Sequence, residues 1–220
     1  MLDEAKLHSF FIEGGTMKLI FGTTNKRKVE DLQNIINEMT LDIQVISMED
    51  IGWDRGEILE NGSTIEENSL IKAQAILSFC KDHSIEYPIM TDDAGLFVDA
   101  LNGEPGIYTA RYAADELLLN PELPKHQCVI KLLRKLNGEQ NRKAKYRCCV
   151  TSMMPNGEYH QEIGESVGTI ATDIIGEIKK PYFYSVFILN GTDVAFNCLE
   201  GKELDDTYRY NALRKSLKRF

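Results

Sequence analysis

The segment KLIFGTTNKRKVEDLQNIINEM, residues 18–39, changes its apolar period within a few residues. Lys18 to Gly22 is a short apolar run closed by glycine, the pattern of a buried strand. Beyond a polar stretch, Val29, Leu32, Ile35, Ile36 and Met39 recur on one face of a helix. Strand, polar turn and helix in that order begin an α/β unit.

The rest of the chain extends this pattern. DIQVISM reads as a second strand, and STIEENSLIKAQAILSFCK as a helix carrying Leu70, Ala73, Ile76, Leu77 and Cys80 at helical spacing. YPIMT reads as a strand that delivers Asp92 and Asp93 to its carboxyl end, beside a glycine turn. PKHQCVIKLLRKLNG is a helix with Val129, Leu132, Leu133 and Leu136 inward and Gly138 as its stop signal. AKYRCCVTSMM and YHQEIGESVGTIA flank the hairpin turn PNGE, YFYSVFIL is a further strand, and TYRYNALRKSLKRF closes the chain as a helix. The expectation is mixed α/β, with an antiparallel section in the second half. Met17 begins a stretch that reads like a natural start, so residues 1–16 are expected to be a leader or alternative-start extension, and 17–220 a single domain.

The formal net charge of −9 argues against nucleic acid or an anionic membrane as a partner, because both carry the same sign. A small anionic substrate remains open where basic residues cluster. No apolar run has membrane-spanning length. Cys80, Cys128, Cys148, Cys149 and Cys198 are odd in number and form no CxxC pair, so buried thiols in a reducing cytoplasm are expected rather than a disulfide framework or a zinc site.

Two stretches carry chemistry. FGTTNKRK places Thr23, Thr24, Asn25, Lys26, Arg27 and Lys28 at a helix amino-terminus, where unpaired N–H groups and the dipole attract anions. It lacks the GxxxxGK[ST] spacing of a P-loop. On residues alone it is equally a phosphate clamp or a solvated turn capping a helix. Asp92 and Asp93 stand side by side at the end of an apolar run; they suit a hard divalent cation, with Glu60 as a third ligand, and they equally suit an ordinary polar turn.

Together these segments resemble the inosine triphosphate pyrophosphatase family, of the Ham1 type. Its T-G-N-x-x-K motif is similar to Thr23–Lys28, with Thr24 in place of glycine. Its E-N-A-x-x-K-A helix is similar to ENSLIKA, including Glu67, Asn68 and Lys72. Its D-D-S-G-L-x-V-D-A-L-x-G-x-P-G-x-Y-S-A-R-Y run is matched over residues 92–112, with Ala94 and Thr109 at the two serines. The resemblance implies an elongated mixed sheet flanked by helices, with two lobes around a central nucleotide-binding cleft. It implies hydrolysis of non-canonical purine nucleoside triphosphates to monophosphate and pyrophosphate, with Mg²⁺ on Glu60 and Asp93. Asp93 would be the proton acceptor, with Asp92 and Lys28 beside it, and Thr23 to Lys28 and Ala94 would meet the substrate. A homodimer is also implied.

The base-binding motifs depart from the family. G-F-G-Y-D-P-x-F falls on Pro181–Ile188, which leaves Tyr182 and Tyr184 for stacking, Ser185 in place of aspartate and Val186 in place of proline. S-H-R-G-x-A-L falls on Thr207–Leu213, keeping Arg209 but putting Tyr208 in place of histidine. The family lysine falls on Glu203, with Lys202 one residue away. A different base preference, or a nucleotide-binding protein with weakened turnover, follows as the alternative. Arg111 is expected to pair with Asp99 or another acid.

Overall fold

The computed structural model describes residues 16–179, 181–199 and 206–220. The 1–16 extension, apart from Thr16, and Lys202 and Glu203 lie outside the described residues. Seven strands form one sheet: β1 (Met17–Phe21), β2 (Ile43–Ile46), β3 (Ile89–Val98), β4 (Pro105–Gly106), β5 (Lys143–Met153), β6 (Tyr159–Ile170) and β7 (Phe187–Leu189). Their order is β2-β1-β3-β5-β6-β7, with β4 paired to β3. Among the described residues the α-helices are α1 (Lys26–Glu38), α2 (Ile65–Asp82), α3 (Ala114–Leu119), α4 (Gln127–Lys135) and α5 (Tyr208–Leu217). The fold is mixed α/β, as the alternation of periods implies.

β1 is parallel to both neighbours, with Leu19 opposite Val45 on β2 and Ile20 opposite Ile89 on β3. Buried on both faces, it is almost continuously apolar, and Leu19, Ile20 and Phe21 are fully buried. β2 lies at the sheet edge. There Gln33 of α1 donates to the Ile43 carbonyl at 3.2 Å and accepts from the Val45 N–H at 3.0 Å, covering edge groups that would otherwise be open to another strand. The antiparallel section of the second half includes β6 and β7, with Thr169 opposite Ile188.

Two elements differ from the sequence expectation. β3 does not end at Asp92 and Asp93 but runs through them to Val98. It changes partner along the way, pairing with β1 as far as Met90 and with β4 from Leu96. Gly95 makes no turn; its missing Cβ lets the Gly106 carbonyl lie directly against it, and a methyl there would overlap that oxygen. The expected strand over YFYSVFIL is half turn: residues Tyr182–Ser185 form a 3-10 helix, because the Tyr184 N–H bonds the Pro181 carbonyl and Ser185 Oγ bonds the Tyr182 carbonyl. Only Phe187–Leu189 remains extended.

The chain divides into two compact units. One gathers the described residues up to Asp93 with Cys149–Ile163 and Tyr210–Phe220; the other gathers Ala94–Cys148 and Gly164–Arg209. The first has a core in which Ile76 and Ala73 of α2 meet Ile20, Ile46, Ile89 and Met153, with Trp53 and Leu77 at its margin. The second packs Tyr146 against Phe187, Phe196 and Tyr208, with ring centroids 5.0, 5.6 and 4.9 Å away. Among the described residues no helix is long and apolar enough to cross a membrane.

Ile76 is completely buried. Ile76→Ala should lower the unfolding free energy by about 2–5 kcal/mol in urea denaturation, through lost burial and the cavity left behind. A loss below about 1 kcal/mol would mean that this core collapses around the gap.

Candidate active site

The chain passes from β1 to α1 through a turn held by its own side chains. Thr23 Oγ1 accepts from the Asn25 N–H at 3.2 Å, and Asn25 Oδ1 accepts from the Arg27 N–H at 3.1 Å. Asn25 is thereby the N-cap, and the helix starts at Lys26, earlier than the apolar period indicates. Lys26, Arg27 and Lys28 occupy its first turn, with no acidic side chain beside them in that turn. Cations there oppose the helix dipole, which favours a bound anion.

The three cations have different surroundings. Lys26 lies 3.8 Å from Glu49 with both side chains exposed, and Arg27 is also exposed. Lys28 crosses to β3 and donates to both oxygens of Asp92, at 3.0 and 2.8 Å. The Asp92 side chain is 1% exposed and that of Lys28 34%, so the carboxylate is enclosed while the ammonium keeps access to solvent.

The paired carboxylates therefore do not share one cation. Neighbouring side chains of an extended strand diverge, and Asp93 has its own partners. Asn68 Nδ2 donates to its Oδ2 at 3.2 Å, and Lys72 Nζ lies 3.8 Å from its Oδ1. Asn68 and Lys72 are one helical turn apart on α2 and face the same way. Lys72 also donates to Glu60 Oε2 at 3.2 Å, so one ammonium touches both acids singled out as metal ligands.

Glu60 is brought there by the loop before α2. Thr64 caps the helix by accepting from the Glu67 N–H, and the Glu67 carboxylate accepts from the Ser63 N–H and hydroxyl. Those bonds, the hydroxyl first, hold Glu67 below the usual carboxylate range. Asn68 Oδ1 accepts from the Gly62 N–H at 2.9 Å. A Cβ at Gly62 would lie 2.8 Å from that oxygen, so only glycine allows this approach. The same amide thus binds the loop of Glu60 through its oxygen and Asp93 through its nitrogen.

A buried hydroxyl network keeps α2 and β3 in register. Thr91 Oγ1 donates to the Ser69 carbonyl at 2.7 Å, and Ser69 Oγ lies 3.2 Å from the Thr91 carbonyl and 2.8 Å from Thr151 Oγ1. Gln161 extends it from β6, donating to Thr151 Oγ1 and the Glu66 carbonyl. Ser69, Thr91 and Thr151 have no exposure. Next to them burial pushes the Cys149 thiol up to about 12, and Cys80 is raised to about 11 by the same cause, which disfavours thiolate at neutral pH.

A cavity of about 440 Å³ has Thr23, Thr24 and Lys28 on its wall, and Glu60, Lys72 and Asp92 as well. Trp53 and Met48 give it an apolar margin. Its lining combines hydroxyls, ammonium groups and carboxylates, groups able to meet phosphate oxygens and a divalent cation. Ala94 is half-buried directly after Asp93. Lys72, Ser69, Thr91 and Trp53 have no role in the sequence reading; the i, i+4 spacing of Asn68 and Lys72 puts those two on one helix face without indicating their partners.

The residues assigned to the base lie in the second unit. Ser185 has no exposure and its hydroxyl is bonded to the Tyr182 carbonyl, so the structure does not present it to a ligand. Tyr208 is 5% exposed, stacked on Tyr146, and its hydroxyl lies 2.8 Å from that of Tyr184. Burial, then the neighbouring Tyr184, pushes the Tyr208 phenol well up. Arg209 is buried, while Tyr182 and Tyr184 are half-buried. Arg111 lies over the Tyr108 ring, 5.1 Å from its centroid, where an acidic partner was expected.

Residues 19–219 match the model of the Ham1 family. The chain is 36% identical over 141 residues to a dITP/XTP pyrophosphatase of Leuconostoc mesenteroides, covering 64% of this chain and 65% of that one. It is 32% identical over 197 residues to a dITP/XTP pyrophosphatase of Bacillus subtilis, covering 89% and 93%. The solved structure of the Staphylococcus aureus Ham1 protein superposes with a TM-score of 0.74 at 29% identity, covering 92% of this chain and 98% of that one.

Asn68→Ala would leave the Gly62 N–H without its acceptor and take a donor from Asp93. Its unfolding free energy should fall by about 1–3 kcal/mol in urea denaturation. A stability equal to the parent's would show that water replaces the amide at no net cost.

Proposed function

Because the chain belongs to the Ham1 family, we propose that it is a nucleoside triphosphate pyrophosphohydrolase acting on non-canonical purine nucleotides. Its substrates would be the triphosphates of inosine, deoxyinosine and xanthosine, each split to monophosphate and pyrophosphate. The observation that carries this reading is the cavity in which Thr23, Thr24 and Lys28 share a wall with Glu60 and Lys72.

Magnesium is the cofactor that the resemblance implies, and the donor set fits it. Among the described residues no three His, Cys, Asp or Glu side chains gather as a metal cluster; the protein's share would be the two carboxylates Glu60 and Asp93, which meet at Lys72. Magnesium is commonly held by one or two carboxylates, with phosphate oxygens and water completing the shell. When bound, it would neutralise charge on the polyphosphate.

The chain's own residues would do the following. The hydroxyls of Thr23 and Thr24 and the first turn of α1 bind phosphate oxygens. Asp93, held by Asn68, takes the proton of a water whose oxygen bonds to the α-phosphorus. The bond from that phosphorus to the bridging oxygen breaks, and pyrophosphate leaves with the electron pair. Lys28, fixed by the enclosed carboxylate of Asp92, stands by to offset the departing charge. Asp92 then acts by aiming Lys28.

Burial of Ser185 and Tyr208 favours a second reading, the same cleavage with a different base preference. The free thiols, three of them buried, suit a reducing cytoplasm. A homodimer, carried over from the resemblance, would find apolar surface at Leu118 and Leu119, which are 84% and 87% exposed.

The test is incubation with a panel of triphosphates and Mg²⁺, separating pyrophosphate from orthophosphate. Inosine and xanthosine triphosphates should give pyrophosphate; turnover confined to other bases supports the second reading, and release of orthophosphate alone rejects the cleavage. Asp93→Asn should lower kcat by about 10²–10⁴-fold with the far-ultraviolet spectrum unchanged. An undiminished rate would remove Asp93 from its role.

A further inference from the structure

We propose that the Lys72 ammonium is the resident cation of the Glu60–Asp93 pair, and that a divalent metal must displace it to bind both carboxylates. This rests on the metal reading above and assigns a role to a residue that the resemblance leaves without one.

The contacts define the competition. Lys72 Nζ lies 3.2 Å from Glu60 Oε2 and 3.8 Å from Asp93 Oδ1. The second Asp93 oxygen, Oδ2, accepts from Asn68. The side chain of Lys72 is 12% exposed, that of Asp93 17% and that of Glu60 30%, so water screens the group only in part. Both carboxylates lie within salt-bridge distance of the one ammonium, whose charge offsets theirs in part. A metal ion ligated by the same oxygens would meet that ammonium at a few ångströms, where like charges repel strongly in a partly buried site. Both cations cannot keep the place.

Displacement would not expel Lys72 from the site. Its four-carbon stem is flexible, and the side chain lines the same cavity as Thr23, Thr24 and Lys28. Released from the carboxylates, the ammonium remains there as a further positive charge for an anionic ligand. Metal entry would thereby convert a partly neutralised pair into a site of higher positive charge. A purely structural ion pair makes the opposite prediction: without Lys72 the carboxylates lose their spacing and hold a metal less well.

Mn²⁺ binding to the nucleotide-free protein, followed by the electron paramagnetic resonance of free Mn²⁺, separates the two. Lys72→Met should bind Mn²⁺ about tenfold more tightly or better, and Lys72→Arg, which keeps the charge, should not. Adding Glu60→Gln to Lys72→Met should abolish the gain, placing the ion on this pair. Equal or weaker Mn²⁺ binding by Lys72→Met would overturn the proposal, and Lys72→Gln repeats the test should the methionine variant fold poorly. If no variant binds Mn²⁺ saturably, with nucleotide or without, the metal reading fails and this inference with it. If the parent binds Mn²⁺ and Lys72→Met gains nothing, only the inference fails.

Discussion

The side-chain amide of Asn68 accepts from the Gly62 N–H and donates to Asp93, and the spacing of the two candidate ligand carboxylates depends on those bonds. The donor and acceptor ends of the amide are both specified: only its oxygen can take the backbone N–H, and only its nitrogen can serve a carboxylate. The loop that carries Glu60 packs Ile51, Trp53 and Ile58 against the core of the first unit, and the bond from a buried helix residue adds a directional constraint at Gly62. With Asn68 1% exposed, water competes little for either bond.

Burying an ionised carboxylate is costly unless a counter-charge and hydrogen bonds compensate. β3 meets this by placing the two acids in the interval where it has left β1 and not yet met β4. In that interval their approach is governed by α1 and α2, which bring one lysine to each. The enclosed Asp92 holds Lys28, while the Asp93 side chain is more open, at 17% exposure. Similar neighbours in sequence thus acquire dissimilar surroundings through both their partners and their exposure.

Much of this was legible in the chain. The change of period between Phe21 and Val29 marked the β1–α1 unit, and the long motif over residues 92–112 marked the acids. Three features were not. A glycine near polar residues reads as a turn signal, whereas Gly95 serves close backbone approach inside a strand. The aromatic run after Pro181 has strand composition, yet local bonds from Tyr184 and Ser185 to the preceding carbonyls curl it. Lys72 was matched within a motif but its partners are distant in sequence, and pairwise reach across a fold has no periodic signature.

The parallel pairing of Ile20 with Ile89 closes a long stretch of chain that holds α1, β2 and α2. Lys28 finds Asp92 only once that closure has occurred. Until β3 docks beside β1, the three cations at the start of α1 lack the carboxylate of Asp92. The meeting of Lys28 with Asp92 is in this sense inherited from long-range assembly rather than from either segment alone.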